Sequence, residues 1–188
     1  TAFGNPHSRD HRIGWRAGEA VEAARADIAS AVGADASEII FTSGATEANN
    51  LALRGIDGEI LSVPIEHPSV LNTTAPSTVM VGSDGLVDPA DIAAAIRSDT
   101  KLVSIALVNH EIGVIQPIAE IAQVCHAEGV LVHTDCAQAL GKVTIDLGAL
   151  GVDLASFSAH KAYGPMGIGG LFVRRGVELK PLITGGGQ

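Results

Sequence analysis

Aromatic residues are scarce in this chain of 188 residues: they make up 3% of it, although hydrophobic residues as a whole make up 46%. A sizeable core can therefore form, but Ala, Val, Leu and Ile have to build it. The hydrophobic fraction argues against a disordered chain. No apolar run approaches the roughly 20 residues of a membrane-spanning helix, so the sequence predicts no membrane partner.

Basic residues and cysteines are also few. The 12 Lys and Arg against 21 Asp and Glu give a net charge of −9, which argues against nucleic acid as a partner. Two cysteines, Cys125 and Cys136, are too few for a disulfide framework and indicate a reducing, cytoplasmic location. The first residues lack the basic head and apolar block of a signal peptide. Because the chain starts without Met and ends on Gly-Gly-Gly-Gln, we expect one domain over 1–188 that is truncated at both ends.

Short apolar runs alternate with segments of helical periodicity. The predicted strands cover 39–42, 60–63, 78–81, 102–108, 130–133 and 154–157. The predicted helices cover 15–32, 43–53 and 88–96, with two more that begin near Ser69 and Ile118. Such alternation with short connections is typical of βαβ units. It predicts an α/β fold with a mostly parallel sheet and helices on both faces.

Polar and titratable residues follow the carboxyl ends of these strands. In an open α/β sheet those ends share one edge, which is the usual ligand face. We therefore expect these residues to form a common site. They are Thr46, His67, His110, Asp135, Gln138, Ser158, His160 and Lys161.

Lys161 is the residue around which this site is organised. It follows the apolar strand 154–157 and stands between Ser158, His160 and a glycine-rich loop. Burial lowers the pKa of an amine and makes it nucleophilic, which suits imine chemistry with a carbonyl group. An ordinary surface lysine after a strand is the alternative.

The turn 43–46, Ser-Gly-Ala-Thr, leads from a short strand into a helix and forms a candidate phosphate site. Free N–H groups and the helix dipole both favour an anion there. A plain turn capped by Thr46 is the alternative. The chain has no Walker motif. No complete G-x-G-x-x-G follows a strand either, so dinucleotide binding has little support.

Together these residues meet the needs of pyridoxal 5'-phosphate (PLP). Lys161 offers an amine to the aldehyde, and Asp135 offers an anionic partner that keeps the pyridine nitrogen protonated. His67 follows a strand end, where its flat ring could stack on the cofactor or serve as an acid or base; a simple turn histidine is the alternative. The phosphate would be held by Gly44, Ala45, Thr46, Ser158 and His160.

A metal site is the competing interpretation of one segment. Cys125, His126, His133, Asp135 and Cys136 are potential ligands that lie close in sequence. Helical spacing turns Cys125 toward the core, and strand alternation places His133 and Asp135 on the opposite face from Cys136. We therefore predict no metal site.

Longer segments extend these motifs over nearly the whole chain. They are FTSGATEANNLALRG (41–55), EHPSV (66–70), VNHEIGVIQPI (108–118), HTDCAQALGKVTIDL (133–147), VDLASFSAHKAYGPMGIGGLFVRR (152–175) and GGGQ (185–188). In combination they resemble the large domain of the cysteine desulfurases, in the class V aminotransferase group of fold-type I PLP enzymes.

The resemblance implies a role for each site residue. Lys161 would form the Schiff base with PLP, Asp135 would pair with the pyridine nitrogen, and Gln138 would lie near the ring oxygen. His67 would stack on the ring and handle protons, so Lys161 and His67 are the expected catalytic residues. The implied phosphate ligands are Thr46, Ser158 and His160, next to Ala45. His110 departs from the family, whose usual Asn-Asn-Glu has asparagine at this position, and this puts the tuning of the imine in question.

The implied activity is removal of sulfur from L-cysteine, leaving L-alanine and an enzyme persulfide for iron–sulfur cluster assembly or other sulfur transfer. The resemblance also implies a homodimer and allows for a sulfur-acceptor protein as a partner. The family's nucleophilic cysteine, substrate-binding arginine and small domain have no counterpart here, and neither Cys125 nor Cys136 sits where that nucleophile belongs. The alternatives are a catalytically incomplete PLP-binding or dimerisation fragment, and a class V enzyme for another amino acid.

Overall fold

The computed structural model describes residues 3–185 and places within them a seven-stranded sheet. The strands are β1 Ile39–Thr42, β2 Glu59–Ser62, β3 Ser77–Thr78, β4 Thr100–Ser104, β5 Leu131–Asp135, β6 Leu154–Ser158 and β7 Gly169–Val173. Their order across the sheet is β1-β7-β6-β5-β4-β2-β3. Strands β2 to β6 pair in parallel, whereas β7 is antiparallel to both β1 and β6. The predicted, mostly parallel sheet is confirmed.

Six α-helices connect these strands within the described residues. They are α1 Arg12–Val32, α2 Ala45–Gly55, α3 Pro68–Thr74, α4 Pro89–Ala95, α5 Ile118–Ala127 and α6 Leu147–Leu150. Two 3₁₀ helices cover Ala36–Glu38 and Ala159–Lys161. The side chains of His67 and Asp88 cap α3 and α4, each of which has Pro in its first turn. Gly33 ends α1 in the left-handed conformation, with φ at 70°.

Two hydrophobic clusters lie on opposite faces of the sheet. Neighbouring residues of one strand belong to different clusters: Leu102 of β4 packs with Leu53 of α2, whereas Val103 packs with Ile121 of α5. The α2 and α3 helices thus cover one face, and α1, α4 and α5 contribute to the other. Helices on both faces, as predicted, are confirmed.

The face under α2 also carries a buried polar row across β4, β5 and β6. The ring of His133 lies between two serine hydroxyls, with Nδ1 2.8 Å from Ser104 Oγ and Nε2 2.9 Å from Ser156 Oγ. Burial lowers the pKa of His133 to about 4, so the ring is neutral at neutral pH. The row connects three strands on the same face as Asp135, two residues before it along β5.

Several element bounds differ from the sequence predictions. Strand β3 has only two residues rather than the predicted 78–81, and β4 ends at Ser104 rather than at 108. Beyond β4 the N–H groups of Ile105 and Leu107 still bond the carbonyls of His133 and Asp135. Strand β7 and the short helix α6 were not predicted, and α1 begins at Arg12 rather than at Trp15.

Residues 1–2 and 186–188 lie outside the described residues, and so does most of the GGGQ segment. The expectation that the domain is truncated at both ends concerns these residues and stays a prediction. Among residues 3–185, every helix is too short or too polar to cross a membrane.

Candidate cofactor site

The carboxyl ends of β2, β5 and β6 and the start of α2 open onto one cavity of about 390 Å³. A recess beside it shares His67, Asp135 and Lys161 and adds His110 and Gln138. Every site residue named from the sequence lines the cavity or the recess. Those in the cavity are Ala45, Thr46, His67, Asp135, Ser158, His160 and Lys161.

One end of the cavity is built by the start of α2 and the end of β6. The helix begins at Ala45, so its first N–H groups are without intrahelical partners and favour an anion. Across from them, Ser158 Oγ lies 2.8 Å from His160 Nδ1. Glu47, which was not predicted as a site residue, also lines the cavity, and its Oε2 accepts the N–H of Ser43 at 2.7 Å.

Asp135 lies at the end of β5 and is only 7% exposed. Its Oδ2 accepts a hydrogen bond from Asn49 Nδ2 at 2.8 Å, and its Oδ1 accepts the N–H of Ala137 at 2.8 Å. Two donors thus stabilise and orient the carboxylate. Asn49 was missed from the sequence. The signal was available, because a helical period places this one polar residue among Ala48, Ala52 and other buried residues of α2.

Glu66 is a second buried carboxyl group at this edge, also missed from the sequence. Its Oε1 accepts the N–H of Ala106 at 2.8 Å, and among the described residues Oε2 has no partner. Burial raises the pKa of Glu66 to about 8, and the charge of Asp135 adds to the shift. Glu66 is therefore largely protonated at neutral pH.

The half-buried ring of His67 stands between the cavity and the recess. Its Nδ1 accepts the backbone N–H of Ser69 at 3.1 Å and lies 2.8 Å from Ser69 Oγ. The ring meets that of His110 edge-on, with centroids 5.3 Å apart and planes at 71°. Burial lowers the pKa of His67, Asp135 opposes this shift, and Lys161 and His110 add to it.

Lys161 ends the 3₁₀ helix that follows β6 and lines both the cavity and the recess, as Asp135 does. The amine and the acid that were predicted to hold one ring therefore face a common space. Gln138 lies at the recess, where its Oε1 accepts a hydrogen bond from Lys142 Nζ at 2.8 Å. The roles of these side chains stay predictions.

Neither cysteine lines the cavity. Cys125 lies fully buried in the cluster under α5, where burial raises the pKa of its thiol to about 12. Cys136 is also fully buried on the face away from Asp135, and burial raises the pKa of its thiol even further. His126 pairs instead with Asp153, with Nε2 2.9 Å from Oδ2. Within residues 3–185 no three His, Cys, Asp or Glu side chains come together as a metal site.

Comparison with known proteins places this geometry in a family. The family model described as aminotransferase class-V matches residues 1–188. The mitosomal cysteine desulfurase of Encephalitozoon cuniculi is 50% identical over 207 residues, which cover 100% of this chain and 48% of that protein. The cysteine desulfurase IscS of Rickettsia africae is 48% identical over 205 residues, covering 100% and 50%.

A solved structure described as SspA in complex with cysteine superposes with a TM-score of 0.93 at 40% identity, covering 100% of this chain and 58% of that one. The expected fold-type I architecture and the resemblance to cysteine desulfurases are thus confirmed. The chain spans about half the length of the curated relatives it matches. It belongs to the class V aminotransferase family, whose members depend on PLP.

Proposed function

We propose that this chain provides the PLP-binding part of a cysteine desulfurase, which takes sulfur from L-cysteine and leaves L-alanine. The observation that carries the proposal is the shared cavity of Lys161 and Asp135, with the start of α2 at its other end. The names of the relatives at about 50% identity and the cysteine in the SspA structure support the choice of substrate.

The donors and acceptors of the cavity fit PLP. Its volume of about 390 Å³ lies within the roughly 300–1,000 Å³ of small-molecule sites. The N–H groups that open α2, together with Thr46, Ser158 and His160, suit the phosphate. The Asp135 carboxylate, held by two N–H donors, suits a protonated pyridine nitrogen, and the flat ring of His67 suits the face of an aromatic ring.

When bound, PLP supplies an aldehyde that binds amines and an aromatic ring that accepts electrons from the substrate's α-carbon. Lys161 Nζ would bind that aldehyde, and as a free amine it would move a proton at the substrate's α-carbon. Asp135 would hold a proton at the ring nitrogen. His110 and Gln138 line the recess and would hydrogen-bond polar atoms of a ligand that extends into it.

The sulfur atom needs a thiol that this chain does not offer. Cys125 and Cys136 are both buried away from the cavity, and burial holds both thiols in the protonated form, which is a poor nucleophile. We infer that the persulfide forms on a cysteine outside these 188 residues and passes to an acceptor in iron–sulfur cluster assembly or another sulfur-transfer route. A homodimer and a cytoplasmic location belong to the same proposal.

The buried cysteines also favour a second candidate. Alone, the chain would be a catalytically incomplete module that binds PLP or dimerises without releasing sulfur. A class V enzyme for another amino acid has no specific observation in its favour. Sulfide release from L-cysteine by the chain with PLP and a reductant would exclude the incomplete module.

Cofactor binding is tested by incubating the purified chain with PLP, removing unbound PLP by desalting and recording the absorbance that stays with the protein. We expect a visible band for the wild type and for Lys101→Ala, a control on β4 outside both the cavity and the recess. Lys161→Ala should lose the band. The same band in Lys161→Ala would refute the role of this lysine, and its absence from the wild type would refute PLP binding by the chain.

A further inference from the structure

A chain of hydrogen bonds links Asp135 to His67 through two residues that the proposed function leaves without a role. The amide nitrogen of Asn49, in α2, lies 2.8 Å from Asp135 Oδ2 and also 2.8 Å from Ser69 Oγ. Ser69 Oγ in turn lies 2.8 Å from His67 Nδ1. The backbone nitrogen of Ser69 approaches the same Nδ1 at 3.1 Å.

The direction of each bond follows from the first one. An ionised carboxylate can only accept, so the NH₂ group of Asn49 faces Asp135. The second hydrogen of that NH₂ group goes to Ser69 Oγ, which therefore accepts. A serine hydroxyl has a single hydrogen, and this one remains for His67 Nδ1.

Both contacts of His67 Nδ1 thus bring a hydrogen toward it. The backbone N–H of Ser69 can only donate, and the hydroxyl of Ser69 is turned to donate by Asn49. A proton on Nδ1 would face the backbone N–H directly. The remaining ring nitrogen, Nε2, is the one that can reach a ligand in the cavity or the recess, since the His67 ring lines both.

We propose that the chain Asp135–Asn49–Ser69 holds His67 as the tautomer with its proton on Nε2, so that His67 donates a hydrogen bond to the ligand through Nε2. Asn49 and Ser69 are then positioning residues. The inference rests on the proposed function insofar as it assumes a ligand in this cavity.

The tautomer limits what His67 can do for a ligand. A general base would need a lone pair directed at the ligand, and neither nitrogen of this tautomer offers one. The ligand therefore presents an acceptor to His67: a thiolate, a carboxylate or a ring oxygen.

The charged groups around His67 act on the same equilibrium. Burial is the largest effect and disfavours the doubly protonated ring, and Lys161 and His110 act in the same direction. Only Asp135 opposes them, so the pKa of His67 is lowered. The ring is thus neutral at neutral pH. For a neutral ring, the hydrogen bonds at Nδ1 decide which nitrogen carries the proton.

The tautomer is measured on the 188-residue chain without cofactor, by long-range ¹H–¹⁵N correlation spectra of protein labelled with ¹⁵N-histidine. These spectra distinguish a ring nitrogen that carries hydrogen from one that does not, and His67→Gln identifies the signals. We expect hydrogen on Nε2 and none on Nδ1 at pH 8. Hydrogen on Nδ1, or an even mixture of both tautomers, would overturn the inference.

Three variants test the positioning role. Ser69→Ala removes the hydroxyl that supports the neutral ring, so the midpoint of the His67 titration should shift upward and the second tautomer should become populated. Ser69→Thr, which keeps a hydroxyl, should restore both. Thr73→Ala is the matched control on α3, because its hydroxyl bonds the carbonyl of Ser69 instead. Equal spectra for Ser69→Ala and Thr73→Ala would contradict the role of Ser69.

The tautomer of His67 and the binding of PLP are measured separately. The spectra are recorded without cofactor, whereas PLP binding is judged from the absorbance band that Lys161→Ala should lose. Failure of one proposal is therefore distinguishable from failure of the other.

Discussion

A β-carbon on Gly169 would lie 2.5 Å from the Cα of Gly44 and 2.6 Å from the carbonyl oxygen of Phe157. Strand β7 therefore packs directly against the turn that opens α2. Both obstructing atoms belong to backbone, so they cannot swing aside as a flexible side chain would. The first residue of β7, a strand that lies between β1 and β6, is thus in close contact with the proposed phosphate end of the cavity.

Gly169→Ala should destabilise the chain and displace the start of α2. Overpacking of this kind costs roughly 1–3 kcal/mol, and the shifted turn should also weaken the binding of PLP. Urea denaturation measures the first effect, and the PLP absorbance that stays with the protein after desalting measures the second. Gly170→Ala is the matched control on the same strand, because its β-carbon would meet nothing closer than 3.5 Å. Equal losses in both variants would contradict the role given to Gly169.

Glu66 should make the stability of the chain fall as the pH rises. Its pKa is about 8 in the folded state against an ordinary 4.5, so between these values the folded chain binds more protons than the unfolded chain. The free energy of unfolding therefore decreases with rising pH, by an amount on the order of a few kcal/mol in total. Glu66→Gln keeps the acceptor for Ala106 and removes the titration. We expect it to equal the wild type near pH 4.5 and to be the more stable protein at pH 9.

Glu59 provides a control of opposite sign for this experiment. Hydrogen bonds from Ser77 and Thr100 lower the pKa of Glu59, so its contribution to stability is present above its ordinary pKa and disappears as the pH falls. Glu59→Gln should therefore lose stability at pH 7 and gain none at pH 9. Denaturation curves of the two variants at pH 5, 7 and 9 separate the effects. Parallel curves for Glu66→Gln and the wild type would show that Glu66 does not titrate in this range.

Both thiols should resist modification in the folded chain. Thiolates react and neutral thiols do not, and burial raises the pKa of Cys125 and Cys136 well above the pH of the assay. With a disulfide dye such as DTNB at pH 8 we expect no rapid reaction of the native protein, and 2 reactive thiols after denaturation. One rapidly reacting thiol in the native chain would return Cys136, next to Asp135, to consideration as a sulfur acceptor.

The sequence predicted that the candidate residues meet at one edge of the sheet, because they follow strand ends. Asp135 and Lys161 each follow an apolar run by a few residues at most, and a parallel sheet brings such positions to one edge whatever the exact strand bounds are. Asn49, Ser69 and Glu66 were missed because their roles depend on which face of α2 and which turn of α3 cover that edge. Strand β7 was missed because two glycines begin it, and glycine weakens a strand pattern whose stability here comes from pairing with β1 and β6.

His110 should lower the pKa of His67, and replacement of His110 by asparagine should reverse this effect. The rings are 5.3 Å apart, and a positive charge on His110 disfavours a second one on His67, which is part of why the pKa of His67 is lowered. In His110→Asn that repulsion is gone, while burial and Lys161 remain. The NMR titration midpoint of His67 should therefore move upward, but it should stay below the ordinary pKa of histidine because burial remains.

His126→Asn is the control for this experiment. His126 lies on α5 and pairs with Asp153, so the variant removes an imidazole elsewhere and should leave the midpoint of His67 in place. An unchanged or lower midpoint in His110→Asn would mean that the two rings do not interact electrostatically. The residue that departs from the family pattern would then have no influence on the proton of its neighbour.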